Sequence, residues 1–239
     1  MAAGKLYLIP TTLGESALGS VLPQQVRDIA ATLKVFVAEN PKTARQYLKQ
    51  VGLTTPLQEL EIYTLDKHTK VEELTRFLQP ALAGKDVGLV SEAGCPAVAD
   101  PGAQLVRMAH AQGIQVVPLV GPSSILLALM GSGMNGQAFA FHGYLPIQKT
   151  ERCKRIVELE KESAQKNQTQ IFIEAPYRNQ PLLEDLVQNC EPGTELCIAT
   201  DLTLASESIS TRTIGEWRRK LPDINKQPTI FLLYRPRSK

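Results

Sequence analysis

The chain has 239 residues, 43% hydrophobic and 21% charged, with 26 Lys+Arg against 24 Asp+Glu and a net charge of +2. That length buries one large core or two modest ones, and the balanced charge neither announces a nucleic-acid binder nor excludes one. Four scattered cysteines without CxxC or Cys/His spacing argue against a zinc ligand set and suggest no disulfide framework, and no run reaches the roughly 18 apolar residues of a membrane span.

The opening MAAGKLYLIPTTLGE has one early lysine and an apolar run broken by proline. It reads as a first strand over Lys5–Ile9 and not as a signal peptide, so a soluble cytoplasmic protein is expected. Beyond Pro23, the residues Val26, Ile29, Ala30 and Leu33 recur at i, i+3, i+4 and i+7 and predict an amphipathic helix. Val35–Ala38 (VFVA) is the next strand, and 43–50 a short helix. Val71, Leu74, Phe77 and Leu78 mark another helix, which Pro80 is expected to shorten or kink. DVGLVS at 86–91 is a nearly all-apolar strand of the buried parallel type. It leads through EAGCPAVADPG into a helix carrying Leu105, Val106 and Ala109, with Gly113 placed to cap its end. A strand at 115–119, the turn Val120-Gly121-Pro122 and an apolar helix at 123–132 follow.

The second half changes character. QAFAFHGY at 137–144 alternates as a half-buried strand does, and 151–166 is a heavily charged helix. Further strands fall at 170–174, Glu195–Thr200 and Thr229–Tyr234, with a helix around 182–187. The alternation predicts an α/β fold with mostly parallel or mixed sheets and helices on both faces. A boundary near Gly121-Pro122 divides an N-terminal α/β domain, 1–120, from a C-terminal one, 121–239.

Three loops follow strands and concentrate glycine, proline and small polar residues: 10–15, 91–102 and Gly121-Pro-Ser-Ser124. In open α/β sheets ligands collect at the carboxyl ends of strands. The chain has no GxxxxGK[ST] and no strand–GxGxxG–helix unit, which argues against nucleoside triphosphates and NAD. Taken singly, each loop also reads as a tight turn. Pattern alone gives an α/β protein with a ligand crevice.

The blocks GKLYLIPTTLGE, GLVSEAGCPAVADPG, GIQVVPLVGPSSILLALMGSG, FAFHGYLP and IFIEAPYR occur in this order across the chain. Together they resemble the tetrapyrrole methylase superfamily of S-adenosylmethionine (SAM)-dependent enzymes. Within it they look most like the branch that methylates a cytidine ribose 2′-hydroxyl of small-subunit (16S) ribosomal RNA. The resemblance implies two α/β domains with a SAM cleft between them, a homodimer, and RNA of the small ribosomal subunit as partner. By position, the residues implied for SAM are Pro10, Glu92, Ala93, Gly94, Cys95, Pro96, Ser123, Ser124, Ala175, Pro228 and Thr229, gripping chiefly through backbone groups.

The departures fall on the substrate side. Where that branch has Glu-Asp-Thr-Arg, this chain has Glu39-Asn40-Pro41-Lys42; where it has Arg-Glu-Leu-Thr-Lys, this chain reads Thr200-Asp-Leu-Thr-Leu204; its usual Asn is Glu15. Groups able to hold RNA phosphates are lost. The resemblance therefore implies the same donor and leaves three readings open: an RNA methyltransferase, a methyltransferase of a small molecule such as a tetrapyrrole, and a silent paralogue.

A ribose hydroxyl is a poor nucleophile and benefits from a carboxylate that takes or holds its proton. Glu39 and Glu92 match acidic positions of the family and are the candidate catalytic residues; Glu39 could instead cap the following helix or pair with Lys42. Asp100 reads more simply as a helix cap beside Pro101. Arg178 is a candidate for substrate phosphate or a partner for Glu174, and His68 a candidate lining residue or an ordinary loop residue. His142 reads as a satisfied core histidine, His110 as surface. The clusters Lys149, Arg152, Lys154, Arg155 and Arg218, Arg219, Lys220 read first as solvated helix faces.

Overall fold

The computed structural model describes residues 2–66 and 68–236, and they form two compact units that divide between Ser123 and Ser124.

Unit 1 contains β1 (Lys5–Ile9), α1 (Leu18–Val21), α2 (Gln24–Thr32), β2 (Val35–Ala38), α3 (Pro41–Val51), β3 (Glu61–Thr64), α4 (Val71–Leu82), β4 (Val87–Val90), α5 (Ala103–Ala111) and β5 (Gln115–Pro118). All five strands run parallel in the order β3-β2-β4-β1-β5. Strand residues alternate between two cores, as a period of two requires. Leu6, Val35, Val37, Val87 and Leu89 pack with Leu74 and Leu78 of α4 and Leu105 of α5. Ile9, Phe36, Ala38 and Val90 pack on the opposite face with Ala30 of α2 and Leu48 of α3.

That division of helices fixes where a ligand crevice forms. The chain leaves β1 and β2 toward one edge with α2 and α3 on one face, and leaves β3 and β4 toward the other edge with α4 and α5 on the opposite face. The direction reverses between neighbouring β2 and β4, and at such a switch point the loops beyond the carboxyl ends diverge.

Unit 2 contains α6 (Ser124–Ser132), β6 (Phe139–Tyr144), α7 (Lys149–Lys166), β7 (Thr169–Ile173), α8 (Asn179–Asn189), β8 (Glu195–Thr200), β9 (Ser208–Thr213), α9 (Ile214–Trp217) and β10 (Thr229–Tyr234). Its sheet is mixed, β6-β7-β10-β8-β9, with only β6 and β7 parallel. Phe172 and Phe231 stack at 5.9 Å in its core, beneath Ile156 of α7 and Leu183 of α8.

Two expectations need correction. Pro80 does not shorten α4, which runs two residues past it to Leu82. So close to the end, the proline costs one hydrogen bond in a turn that is already fraying, and its carbonyl accepts Lys85 N–H at 2.9 Å. The edge strands β3 (EIYT) and β9 (SISTRT) fall where the pattern gives no strand.

Candidate functional site

In unit 1 the three sequence-selected loops meet at the carboxyl ends of β1, β4 and β5. Thr11 N–H donates to the Gly94 carbonyl at 3.0 Å, and the buried Ser91 hydroxyl donates to the same oxygen at 2.6 Å. The Cys95 thiol donates to the Pro122 carbonyl at 3.5 Å, and the Tyr47 hydroxyl of α3 donates to Pro10 O at 3.0 Å. Burial pushes Tyr47 up to about 12, which keeps that proton in place.

Two glycines permit this closure. Gly94 has φ +71°, and a Cβ there would lie 3.1 Å from Leu13 and 3.3 Å from the Pro122 carbonyl. A Cβ on Gly121 would fall 2.2 Å from the Pro10 ring. Both therefore serve loop-to-loop packing. Ala97 and Ala99 also adopt positive φ, 64° and 60°, a backbone cost of order 1–3 kcal/mol each, and strain of this kind concentrates at functional loops. No residue type at 97 or 99 announced it.

The neighbouring ends of β2 and β4, paired at Ala38 and Val90, bring Glu39 and Glu92 to one edge of the crevice. Asp100 joins them electrostatically. Its carboxyl is pushed up to about 6, first by burial, then by the Glu39 and Glu92 charges. Glu92 is held by the Thr43 hydroxyl, which donates to Oε1 at 2.6 Å. Two capping readings fail. Asn40 caps α3, its Oδ1 accepting Lys42 N–H at 2.9 Å, so Glu39 is not the cap. Gly102 occupies the N-cap of α5, which starts at Ala103, so Asp100 is not a cap either.

Beside this cluster opens a polar cavity of about 850 Å³, bordered by the β1–α1 loop, α2, α3 and the end of β4. Thr11, Ser16, Arg27, Thr43, Tyr47 and Glu92 are on its wall. The sequence reading did not find it; Arg27 sits between the core residues Val26 and Ala30 and looks like any charge on the outer stripe of a helix.

In unit 2 the register Ile173 to Ile230 carries Ala175 opposite Pro228, bringing together Ala175, Pro228 and Thr229. The Thr229 hydroxyl is buried and donates to Gln227 O at 2.9 Å, leaving backbone groups as what this residue can offer. Glu174 and Arg178 form an ion pair. One carboxylate oxygen accepts from Arg178 Nε at 2.9 Å and Nη2 at 2.6 Å and from Ala175 N–H at 2.7 Å. The other, Oε2, is buried without a hydrogen-bond partner among the described residues. This bond raises the Arg178 pKa further.

Other candidates disperse. His68 lies in an exposed turn where its N–H donates to Asp66 Oδ1 at 2.8 Å. Ser124 opens α6 and Ser123 precedes it, both half-buried. His142 is half-buried and bonded to Gln170 Oε1 at 2.6 Å, satisfied as a packing histidine is. Arg152 is no part of a solvated face: it is buried and paired with Asp185 at 2.6 Å. Among the described residues no group of three His, Cys, Asp or Glu is arranged to hold a metal, and no helix is long and apolar enough to cross a membrane.

The fold has two α/β units, and in unit 1 the strand-end loops bring small residues and carboxylates together. The chain resembles the solved methyltransferase CobJ (21% identity, TM-score 0.63, 97% of this chain and 94% of that one). It also resembles uroporphyrin-III-C-methyltransferase from Thermus thermophilus (18% identity, TM-score 0.55, 97% and 92%). These likenesses fix the fold. The chain belongs to the family Tetrapyrrole (Corrin/Porphyrin) Methylases, whose model matches residues 5–217, and is a methyltransferase. Among its relatives are the proteins named ribosomal RNA small subunit methyltransferase I from Xylella fastidiosa strain Temecula1 and Vibrio cholerae. The first is 33% identical over 96% of this chain and 80% of its own length, the second 30% over 88% and 69%.

Proposed function

We propose that this chain methylates a ribose 2′-hydroxyl of small-subunit ribosomal RNA, with SAM as the methyl donor. The observation that carries this reading is the 30–33% identity to the rRNA methyltransferases over 88–96% of the chain, against 18–21% to the tetrapyrrole-type structures. The polar cavity supports it: its hydroxyl, amide and carboxylate walls suit a sugar better than a macrocycle, which calls for apolar walls.

The residues present fit SAM. Glu92 and Ala93 are exposed where the tied loops turn, so their backbone groups are available, and Gly94, Cys95 and Pro96 continue that turn. With Pro10 and Ser123 they are the unit 1 residues that would hold it; Ser124, Ala175, Pro228 and Thr229 of unit 2 are assigned to SAM by resemblance alone. Bound there, SAM supplies an electrophilic methyl group. The chain's own contribution is to orient the hydroxyl and take up its proton, and Glu39 and Glu92 are the groups for this, Thr43 holding Glu92 in place. Arg178 steadies the buried Glu174 beside Ala175.

Two further assignments belong to the same reading. A homodimer accounts for Met130 (80% exposed), Tyr144 (59%) and Ile147 (67%), apolar surface of unit 2 that a second copy would cover. A ribosomal substrate implies a cytoplasmic location. The test is transfer of labelled methyl from SAM to total RNA and ribosomal subunits of a strain lacking this protein. Label in small-subunit RNA supports the reading; label only in a tetrapyrrole fraction overturns it in favour of a small-molecule enzyme.

A further inference from the structure

The hydrogen bonds on the wall of the unit 1 cavity are unevenly distributed. Thr11, Ser91, Thr43 and Tyr47 all spend their hydroxyls on protein acceptors or on each other. Ser16 and Arg27 do not. Ser16 Oγ and Arg27 Nε are buried with no hydrogen-bond partner among the described residues, and no ion pair there involves Arg27. Among the described residues bordering the cavity Arg27 is the only cation, and its guanidinium lies beside Gly19, 3.6 Å from the place a Cβ would take.

A buried Nε–H without an acceptor is costly, and a hydroxyl buried beside the same cavity adds to that cost. Both residues border the cavity, so an anion bound there is placed to give them a partner. A phosphate oxygen accepts from the planar guanidinium fork and from a hydroxyl, with better geometry than a lysine would give. The rest of the wall limits the charge of that anion. Glu15 and Glu92 also border the cavity, so one cation faces two carboxylates, and a doubly charged phosphate monoester is disfavoured against a singly charged diester. The same carboxylates and the amides of Gln46 and Gln50 are suited to the hydroxyls of an attached sugar.

We infer that Arg27, with Ser16, forms a phosphodiester-binding subsite that anchors the backbone of the acceptor nucleic acid in the unit 1 cavity. The inference rests on the reading of this chain as an RNA methyltransferase, and names where a phosphate contact is made in a chain that has Thr200 and Leu204 where the resembling branch has Arg and Lys. Arg27 is a positioning and binding residue; it takes no part in proton transfer.

The experiment measures binding of the dinucleoside monophosphate CpC and of the nucleoside cytidine by calorimetry, at low and at physiological salt, to the full chain and to Arg27→Gln, Arg27→Lys and Ser16→Ala. Wild type is expected to bind CpC at least about tenfold more tightly than Arg27→Gln, with Arg27→Lys between them and Ser16→Ala losing less. Cytidine should bind wild type and Arg27→Gln alike, and the salt dependence of CpC binding should flatten in Arg27→Gln. Equal CpC affinity for wild type and Arg27→Gln overturns the inference, as does an equal loss of cytidine and CpC or no CpC binding to wild type. Should Arg27→Gln fail to fold, Ser16→Ala decides: unchanged CpC affinity there overturns the subsite. Wild type that binds CpC through Arg27 yet transfers no methyl to RNA leaves the subsite standing and removes the methyltransfer reading instead.

Discussion

The Thr43 hydroxyl donates to Glu92 Oε1 across 2.6 Å, tying the first turn of α3 to the loop that leaves β4. The two residues are 49 positions apart and lie on elements that follow the neighbouring strands β2 and β4. Thr43→Val keeps the shape and removes the donor. It is expected to lower kcat about 3- to 10-fold, about 0.6–1.4 kcal/mol of barrier, with the SAM Kd unchanged. Steady-state kinetics beside SAM titration checks this, and a rise in SAM Kd with constant kcat would reassign the bond to donor binding.

Glu39→Gln keeps volume and removes the charge. Turnover is expected to fall at least about tenfold, about 1.4 kcal/mol, while SAM affinity is retained. Unchanged turnover removes Glu39 from proton handling.

The carboxyl of Asp100 gives a pH signature. It holds its proton to about pH 6 in the folded chain against 3.8 for an unperturbed aspartate, because burial and then Glu39 and Glu92 disfavour its charge. Between those values the folded state binds more protons than the unfolded state. Its contribution to stability is therefore favourable at low pH, declines as pH rises from about 4 to about 6, and is flat above. Asp100→Asn relieves that loss. The variant should exceed wild type by about 1–2 kcal/mol at pH 7.5, after allowing for screening of the two exposed glutamates, and by about a third of that at pH 4.5. Urea denaturation at the two pH values measures the difference.

Gly121→Ala places a methyl 2.2 Å from the Pro10 ring and must push two of the three loops apart. A stability loss of about 1–3 kcal/mol is expected, accompanied by weaker SAM binding. A thermal melt and a SAM titration on the same preparation separate the two effects, and wild-type SAM affinity in the variant would place the donor away from this contact.

Arg178→Ala strips a buried carboxylate of its cation, since the Glu174 side chain is 1% exposed and Arg178 makes two of the three bonds to its Oε1. A loss of about 3–5 kcal/mol is expected by denaturant titration, and Glu174→Gln in the same background should recover part of it. A stable Arg178→Ala that only weakens RNA binding would mean that Arg178 serves the substrate.

The strands and helices that carry the three loops were legible because their apolar residues form a short continuous run, as in Val35–Ala38, or repeat near four, as in Val26 to Leu33. The missed strands lie at sheet edges, where half-exposed Glu61 to Thr64 and Ser208 to Thr213 need no apolar face and leave no pattern. The grouping of Glu39, Glu92 and Asp100 was only partly legible. Glu39 and Glu92 were recognisable by resemblance, whereas Asp100 looked like a helix cap because Pro101 follows it, and only the position of Gly102 at the actual cap released it for another role. The cavity beside Arg27 was invisible, since it arises from α2 and α3 packing over the β1–α1 loop, and no local spacing encodes an unpartnered guanidinium.

The most direct test is the chemical form of the transferred methyl. A methylated 2′-hydroxyl cannot attack the adjacent phosphodiester, so small-subunit RNA labelled by this chain and digested with alkali should release its label in a dinucleotide that resists cleavage. Label recovered wholly in mononucleotides, or SAM binding with no label in RNA at all, would contradict methyl transfer to a ribose hydroxyl.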